Sequence, residues 1–150
     1  MGHTRNTVLI RVEINRVFDI TNAIGRWHEL FSEYKTSTVI NQEGNRVIFK
    51  LETYPDKEGH VHSWISERII DREKFRCTAR RLEPAYPFEY MHITWEYSEM
   101  GSATLLTWIQ DFKADKACPW DDKRLEEYIN HNSKIQMKAI REKIENGFAL

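Results

Sequence analysis

Between residues 38 and 112 apolar and polar side chains alternate with a period of two, and the alternation breaks at recognisable turn signals. Those signals are Gly44-Asn45, the 55–59 stretch with Pro55 and Gly59, the 71–73 stretch, the 84–87 stretch with Pro84 and Pro87, and Met100-Gly101. The pattern predicts six successive strands near 38–42, 46–54, 60–70, 74–83, 88–98 and 103–113. The connections are short enough for antiparallel neighbours. A further strand is predicted at 7–13, where Val8, Ile10 and Val12 alternate with Leu9 and Arg11. Asn15 is placed to cap a helix that stops at Gly25. Trp27, Leu30, Phe31 and Tyr34 then fall at i, i+3, i+4 and i+7, which predicts a second short helix with one aromatic side. After Pro119, Asp121 or Asp122 caps a long last helix that reaches to about Glu145.

This order gives an α+β class: a curved, seven-stranded antiparallel sheet wrapped around the long C-terminal helix, with room for an interior pocket. The inward stripe of that helix supports a pocket. It runs Leu125, Ile129, Asn132, Ser133, Gln136, Ile140, Ile144, apolar at both ends and polar in the middle. An unpaired buried amide or hydroxyl costs about 1–3 kcal/mol, so the middle faces something polar.

The strand faces agree. One face of 60–70 carries His62, Trp64, Ser66 and Arg68, and the other Ser63, Ile65 and Glu67. Phe49 with Leu51, Met91 with Ile93, Trp95 and Tyr97, and Trp108 with Gln110 and Phe112 form comparable sets. Rings with a few fixed polar groups are how ligand cavities are lined, although any one of these rings alone reads as ordinary core. Arg68 has two readings of equal weight from the residues alone. Either it looks into the cavity, or it reaches solvent and pairs with Glu67 or Asp71. Tyr34 by itself reads as the end of an aromatic stripe with its hydroxyl in water.

Composition narrows the function. A chain of 150 residues suits one domain spanning 1–150, which buries roughly 68–70% of the surface of its unfolded form. Its 22 basic and 23 acidic residues nearly cancel, so neither nucleic acid nor an anionic membrane is expected as a partner. Cys77 and Cys118 show no disulfide framework or metal-ligand spacing, and no signal peptide or membrane span is evident. A cytoplasmic location is expected. His60 and His62 share a side but no third ligand is evident, so no metal is predicted. His28, His92 and His131 lack a nucleophile motif, no glycine-rich phosphate loop is present, and no cofactor is expected.

The runs "DITNAIGRWHELFSEY", "SWISER", "PFEYMHITWEY", "LLTWIQDF" and "YINHNSKIQMKAIREKIE" together resemble the aromatase/cyclase domains of bacterial aromatic polyketide pathways, the tetracenomycin type in particular, over residues 5–145. The resemblance implies a START-like helix-grip (SRPBCC) fold. It also implies regiospecific first-ring aldol cyclisation and dehydration of a poly-β-ketone delivered by an acyl carrier protein and made by a minimal polyketide synthase. By resemblance the pocket arginine is Arg68 and the tyrosine beside it Tyr34. Trp27, Phe31, Trp64, Ser66 and Arg81 match the family's lining. So do Phe88, Met91, Trp95 and Trp108. Gln110, Asn132, Ser133 and Gln136 are expected to anchor further carbonyls.

Arg68 would polarise a carbonyl, because its pKa above about 12 makes it a poor base. Tyr34 would supply or relay a proton, and the base would be an ordered water or Tyr34 itself. His62 stands where the tetracenomycin type has tryptophan and His92 where it has asparagine, and the chain is one residue longer between 83 and 88. Arg46 and Lys50 are expected near the pocket mouth, facing an acidic carrier. The rival expectation is a non-catalytic START-like carrier of a hydrophobic small molecule.

Overall fold

Hairpin turns at Gly44 and Gly101, both with the positive φ that glycine adopts without a Cβ clash, fold the alternating segments back on themselves. The computed structural model describes residues 1–150. Its strands are β1 (Gly2–Ile10), β2 (Tyr34–Glu43), β3 (Arg46–Thr53), β4 (Ser63–Asp71), β5 (Arg76–Arg81), β6 (Phe88–Met100) and β7 (Ala103–Ala114). Its helices are α1 (Ile14–Thr21), a one-turn α2 (Trp27–Leu30) and α3 (Asp122–Glu145). All seven strands form one antiparallel sheet in the order β1-β7-β6-β5-β4-β3-β2. Register shifts in β2, after Tyr34 and after Val39, and in β6, after Phe88, bend the sheet into a trough. The long helix lies in it, chiefly against β1.

Several boundaries differ from expectation for local reasons. The first strand begins at Gly2, because β1 pairs with β7 along its whole length. Its inward positions there are Thr4 and Asn6, buried polar residues that an apolar alternation does not register. Glu13, rather than Asn15, caps α1, accepting from the N–H groups of Asn15 and Arg16. α1 ends at Thr21, and a 3-10 turn (Ile24–Arg26) leads into α2. The second helix is a single turn, since Phe31 is already extended and Tyr34 opens β2. The four stripe residues are nonetheless buried together in the main core. β2 is longer than predicted but mostly exposed, as an edge strand can be.

Asp121 caps α3 by accepting from the Arg124 N–H at 2.9 Å, while Asp122 accepts from the Ala114 N–H at 2.7 Å and ties the helix to the end of β7. At the other end, Lys143 donates to the carbonyls of Glu29 and Leu30 and closes α2. Leu125 and Ile129 of α3 belong to a small core with Phe88, Met91 and Phe112. Met137, Ile140 and Ile144 belong to the large one. Asn132, Ser133 and Gln136 lie between the two cores.

Removing the cap should weaken the helix without disturbing the sheet. Asp121→Ala is expected to cost about 1 kcal/mol, read as a lower urea midpoint with an unchanged m-value.

Candidate functional site

The trough and the helix enclose a cavity of about 490 Å³, within the usual range for small-molecule sites. Its walls are the inward residues of β3 to β7, the α2 segment, and the first half of α3. The sequence-predicted lining residues face it except Gln136, Tyr97, which packs in the large core with its hydroxyl on Thr21, and Phe112, which packs in the small core. Gln136 is buried but turned away: its carbonyl accepts from the Ser32 N–H and its amide donates to the Ser32 hydroxyl, both at 2.9 Å. The periodicity placed it in the right stripe. The loop after α2 took up its polar end.

Arg68 is 1% exposed. Glu67 points to the opposite face, where it accepts from Arg46 at 2.6 Å and Arg80 at 3.0 Å, so the ion pair that would have explained Arg68 as a surface residue does not form. The same pairing occupies Arg46 on the outer face, at the end of β3 away from Thr53, and Arg46 is not among the cavity lining. Lys50, four residues further along β3, shares that outer face. No ion pair in the molecule includes Arg68 or Arg81.

What holds Arg68 is neutral. Its Nε donates to the Asn22 Oδ1 at 2.9 Å. Its Cζ lies 5.2 Å from the Trp27 ring and 5.0 Å from the Trp95 ring, close enough for cation–π attraction. Nη2 is buried with no hydrogen-bond partner. Asn22 also accepts from the Cys77 Sγ and donates to the Phe18 carbonyl, so it is locked at the end of α1. Trp27 is fixed in turn by its Nε1 donating to the Thr21 carbonyl.

The second polar group lies on the same wall. Arg81 pairs with Ser66 across β4 and β5, one inward step from Arg68. Its Cζ is 4.0 Å from the Trp64 ring and 4.9 Å from the Phe88 ring. Part of its surface faces the cavity while the rings shield the rest. Burial lowers its pKa to about 10, opposed by Tyr34 and Glu33. Tyr34 is buried, and its phenol is pushed well above the ordinary range by burial first and then by the neighbouring Glu33 carboxylate. Glu33 is itself raised by burial, partly offset by hydrogen bonds from Asn132 and Tyr34 and by the field of Arg81. Asn132 donates to its Oε2 at 3.1 Å. Across the cavity, Gln110 donates to the Ser133 hydroxyl at 2.7 Å, joining sheet to helix.

Asn22 and Glu33 were missed by sequence reasoning. Asn22 reads as a helix end, and only the folded chain brings it to Arg68. Glu33 had a weak signal: it adjoins Tyr34 and could meet the polar stripe of α3. At the rim, His62 lies 3.1 Å from the Asp56 Oδ2. The Asp56 carboxyl is held below its usual range, chiefly by the His60 N–H and then by His62. No cluster of three or more His, Cys, Asp or Glu residues is arranged to hold a metal.

Two measurements follow from this geometry. Because its folded pKa is raised, Tyr34 should remain a neutral phenol as pH passes the ordinary tyrosine value of 10.0. The ultraviolet difference between wild type and Tyr34→Phe should therefore lack a phenolate band where the exposed tyrosines have ionised. Asn22→Ala leaves Arg68 Nε unpaired and should cost about 1–3 kcal/mol in chemical denaturation.

Residues 1–145 match the family model described as polyketide cyclase / dehydrase and lipid transport. A Streptomyces cyaneus protein assigned as a polyketide cyclase is 48% identical over 144 residues, 96% of this chain and 94% of its own length. A second, from Streptomyces halstedii and likewise assigned, is 42% identical over 108 residues, 72% of this chain and 98% of its own. Among solved structures, the Zhui aromatase/cyclase of Streptomyces sp. R1128 superposes with a TM-score of 0.84 at 19% identity, covering 95% of this chain and 93% of that one. That likeness bears on the helix-grip fold. Through its matched length and its close relatives, the chain belongs to the polyketide cyclase / dehydrase and lipid transport family.

Proposed function

We propose that the protein is a polyketide cyclase acting as a single domain. It takes a poly-β-ketone from an acyl carrier protein, closes the first ring by a regiospecific intramolecular aldol reaction, and dehydrates it. The observation that carries this reading is the buried Arg68 guanidinium, unpaired with any carboxylate, facing an aromatic-walled cavity of about 490 Å³. The relatives' assigned roles agree with it.

An aldol closure needs an enolate carbon and a polarised carbonyl held about 3–3.5 Å apart. A flexible polyketone has many such pairings, and rigid walls select among them. Trp27 stacks parallel to Trp95 at 6.3 Å, and Trp95 packs on Trp108 at 5.2 Å, so this wall leaves little freedom for alternative folds of the guest. Arg68 donates to the oxygen on which negative charge builds, an interaction strengthened where water is excluded. It needs no reorganisation, because Asn22 and the two indoles already hold it. Arg81, Gln110 and Ser133 orient carbonyls further along the chain.

Carriage of a hydrophobic molecule, the rival reading, accounts for the rings but leaves the two unpaired cations unexplained. No helix is long and apolar enough to cross a membrane.

Adding the protein to a reconstituted minimal polyketide synthase should convert shunt products to one correctly cyclised product. Arg68→Ala should abolish that product while circular dichroism stays native. An unchanged product distribution, with or without the substitution, would overturn the assignment.

A further inference from the structure

An aldol closure also requires a base, and Arg68 cannot be one. Tyr86 and Tyr128, more than half exposed, and the partly exposed Cys118 touch the cavity from outside; the other ionisable side chains of suitable type that face it are Tyr34, Asp56, His62 and Glu33. Tyr34 is held neutral by burial and by the adjacent carboxylate, so it can pass a proton along but does not begin the removal. Asp56 has its Oδ1 occupied by the N–H groups of Glu58 and His60 and its Oδ2 by His62. Those contacts stabilise the ion and make it a weak proton acceptor. His62 is spent on Asp56 and is 60% exposed at the rim.

Glu33 differs from all three. Its carboxylate has no ion pair, and its hydrogen bond from Asn132 is neutral, which orients the group without cancelling its charge. It stands beside the Tyr34 hydroxyl. Arg81, within its field, lies on the neighbouring strand diagonally across from Arg68, one inward-facing step along. Arg68 and Glu33 line the same cavity, so a chain whose carbonyl oxygen rests on Arg68 occupies the space that the carboxylate faces.

We propose that Glu33 is the general base of the cyclisation. This rests on the cyclase reading above and specifies which group moves the proton. The Glu33 carboxylate takes a proton from a methylene flanked by two carbonyls, directly or through the Tyr34 hydroxyl. The C–H pair becomes an enolate whose oxygen is hydrogen-bonded by Arg68. The enolate carbon bonds to the second carbonyl carbon, the π pair moves onto that oxygen, and the resulting alkoxide takes the proton back from Glu33. Dehydration repeats the exchange: the carboxylate removes the remaining α-proton, the C–O bond breaks, and the departing hydroxide leaves as water with that proton. No oxidant or cofactor enters, and Glu33 ends as it began.

Burial suits the residue to this task, because a carboxyl raised above its ordinary 4.5 is a stronger base when ionised. The titratable groups acting on it are Tyr34 of β2 and Arg81 of β5, and α3 offers only the neutral Asn132. Tyr34 stays neutral and Arg81 charged through the neutral range, so neither contributes a limb there.

The test is methylene hydrogen–deuterium exchange of acetoacetyl N-acetylcysteamine in deuterium oxide, followed by NMR and corrected for buffer. Wild type should accelerate exchange, with a rate that falls as pH drops through a value above 4.5. Glu33→Gln keeps the shape and the bond from Asn132, and should lose about 10²–10⁴-fold of the protein-catalysed rate together with the acid limb. Glu33→Asp should recover part of it. Quenching of tryptophan fluorescence by the same thioester should be unchanged in Glu33→Gln, showing an intact pocket. The inference is overturned if wild type does not accelerate exchange, or if Glu33→Gln keeps the wild-type rate and pH profile. If Glu33→Gln also cyclises normally in the reconstituted synthase while Arg68→Ala does not, the cyclase reading stands and this assignment alone fails.

Discussion

A positive charge buried without a counter-charge is costly, and that cost organises the molecule around Arg68. A carboxylate partner would have relieved it and ended its usefulness, because a paired guanidinium has little field left for a ligand. The protein instead surrounds it with neutral support: one amide oxygen on Nε and two indole faces. Those supports need rigid mountings. Asn22 sits where α1 stops, Trp27 where α2 starts, and Trp95 in the centre of a long strand paired on both sides. Glu67, the acid next to Arg68 in the chain, is turned to the outer face by strand alternation and pairs there with Arg46 and Arg80.

The helix across the cavity resolves a second tension. Three inward polar residues in the middle of α3 would weaken an ordinary core, yet each has found a different partner. Ser133 meets Gln110 of the sheet, Asn132 meets Glu33 beside Tyr34, and Gln136 meets Ser32 after α2. The helix is thereby fixed in rotation and in height by hydrogen bonds, while its apolar ends supply burial. Polar groups here set position more than stability.

Much of this was legible in the sequence wherever one periodicity dominated. The alternation of Trp64, Ser66 and Arg68 named a cavity wall, and the break in the α3 stripe named the opposite one. The α+β class followed from the order of segments. Legibility failed where partners are distant in the chain or polar positions face inward. Thr4 and Asn6 hid the start of β1, and the turn of backbone at Phe31 cut short a helix that spacing alone would extend. Gln136 could not be told from Ser133, because the choice between a cavity and a loop lies outside the helix. Asn22 and Glu33 carry no periodic signal, since each acquires its meaning from a residue on another element.

The tie between Asp122 and the Ala114 N–H has a consequence for how such a protein diversifies. It fastens the two ends of the 115–121 segment to each other, and that segment carries Cys118, Pro119 and Trp120 to the cavity entrance. The segment is thus a detachable brim: apart from Asp121, which caps the helix, its residues can be exchanged without disturbing the strand it leaves or the helix it enters. Admission of different guests can then change by substitution here, while the charged interior that treats them stays as it is.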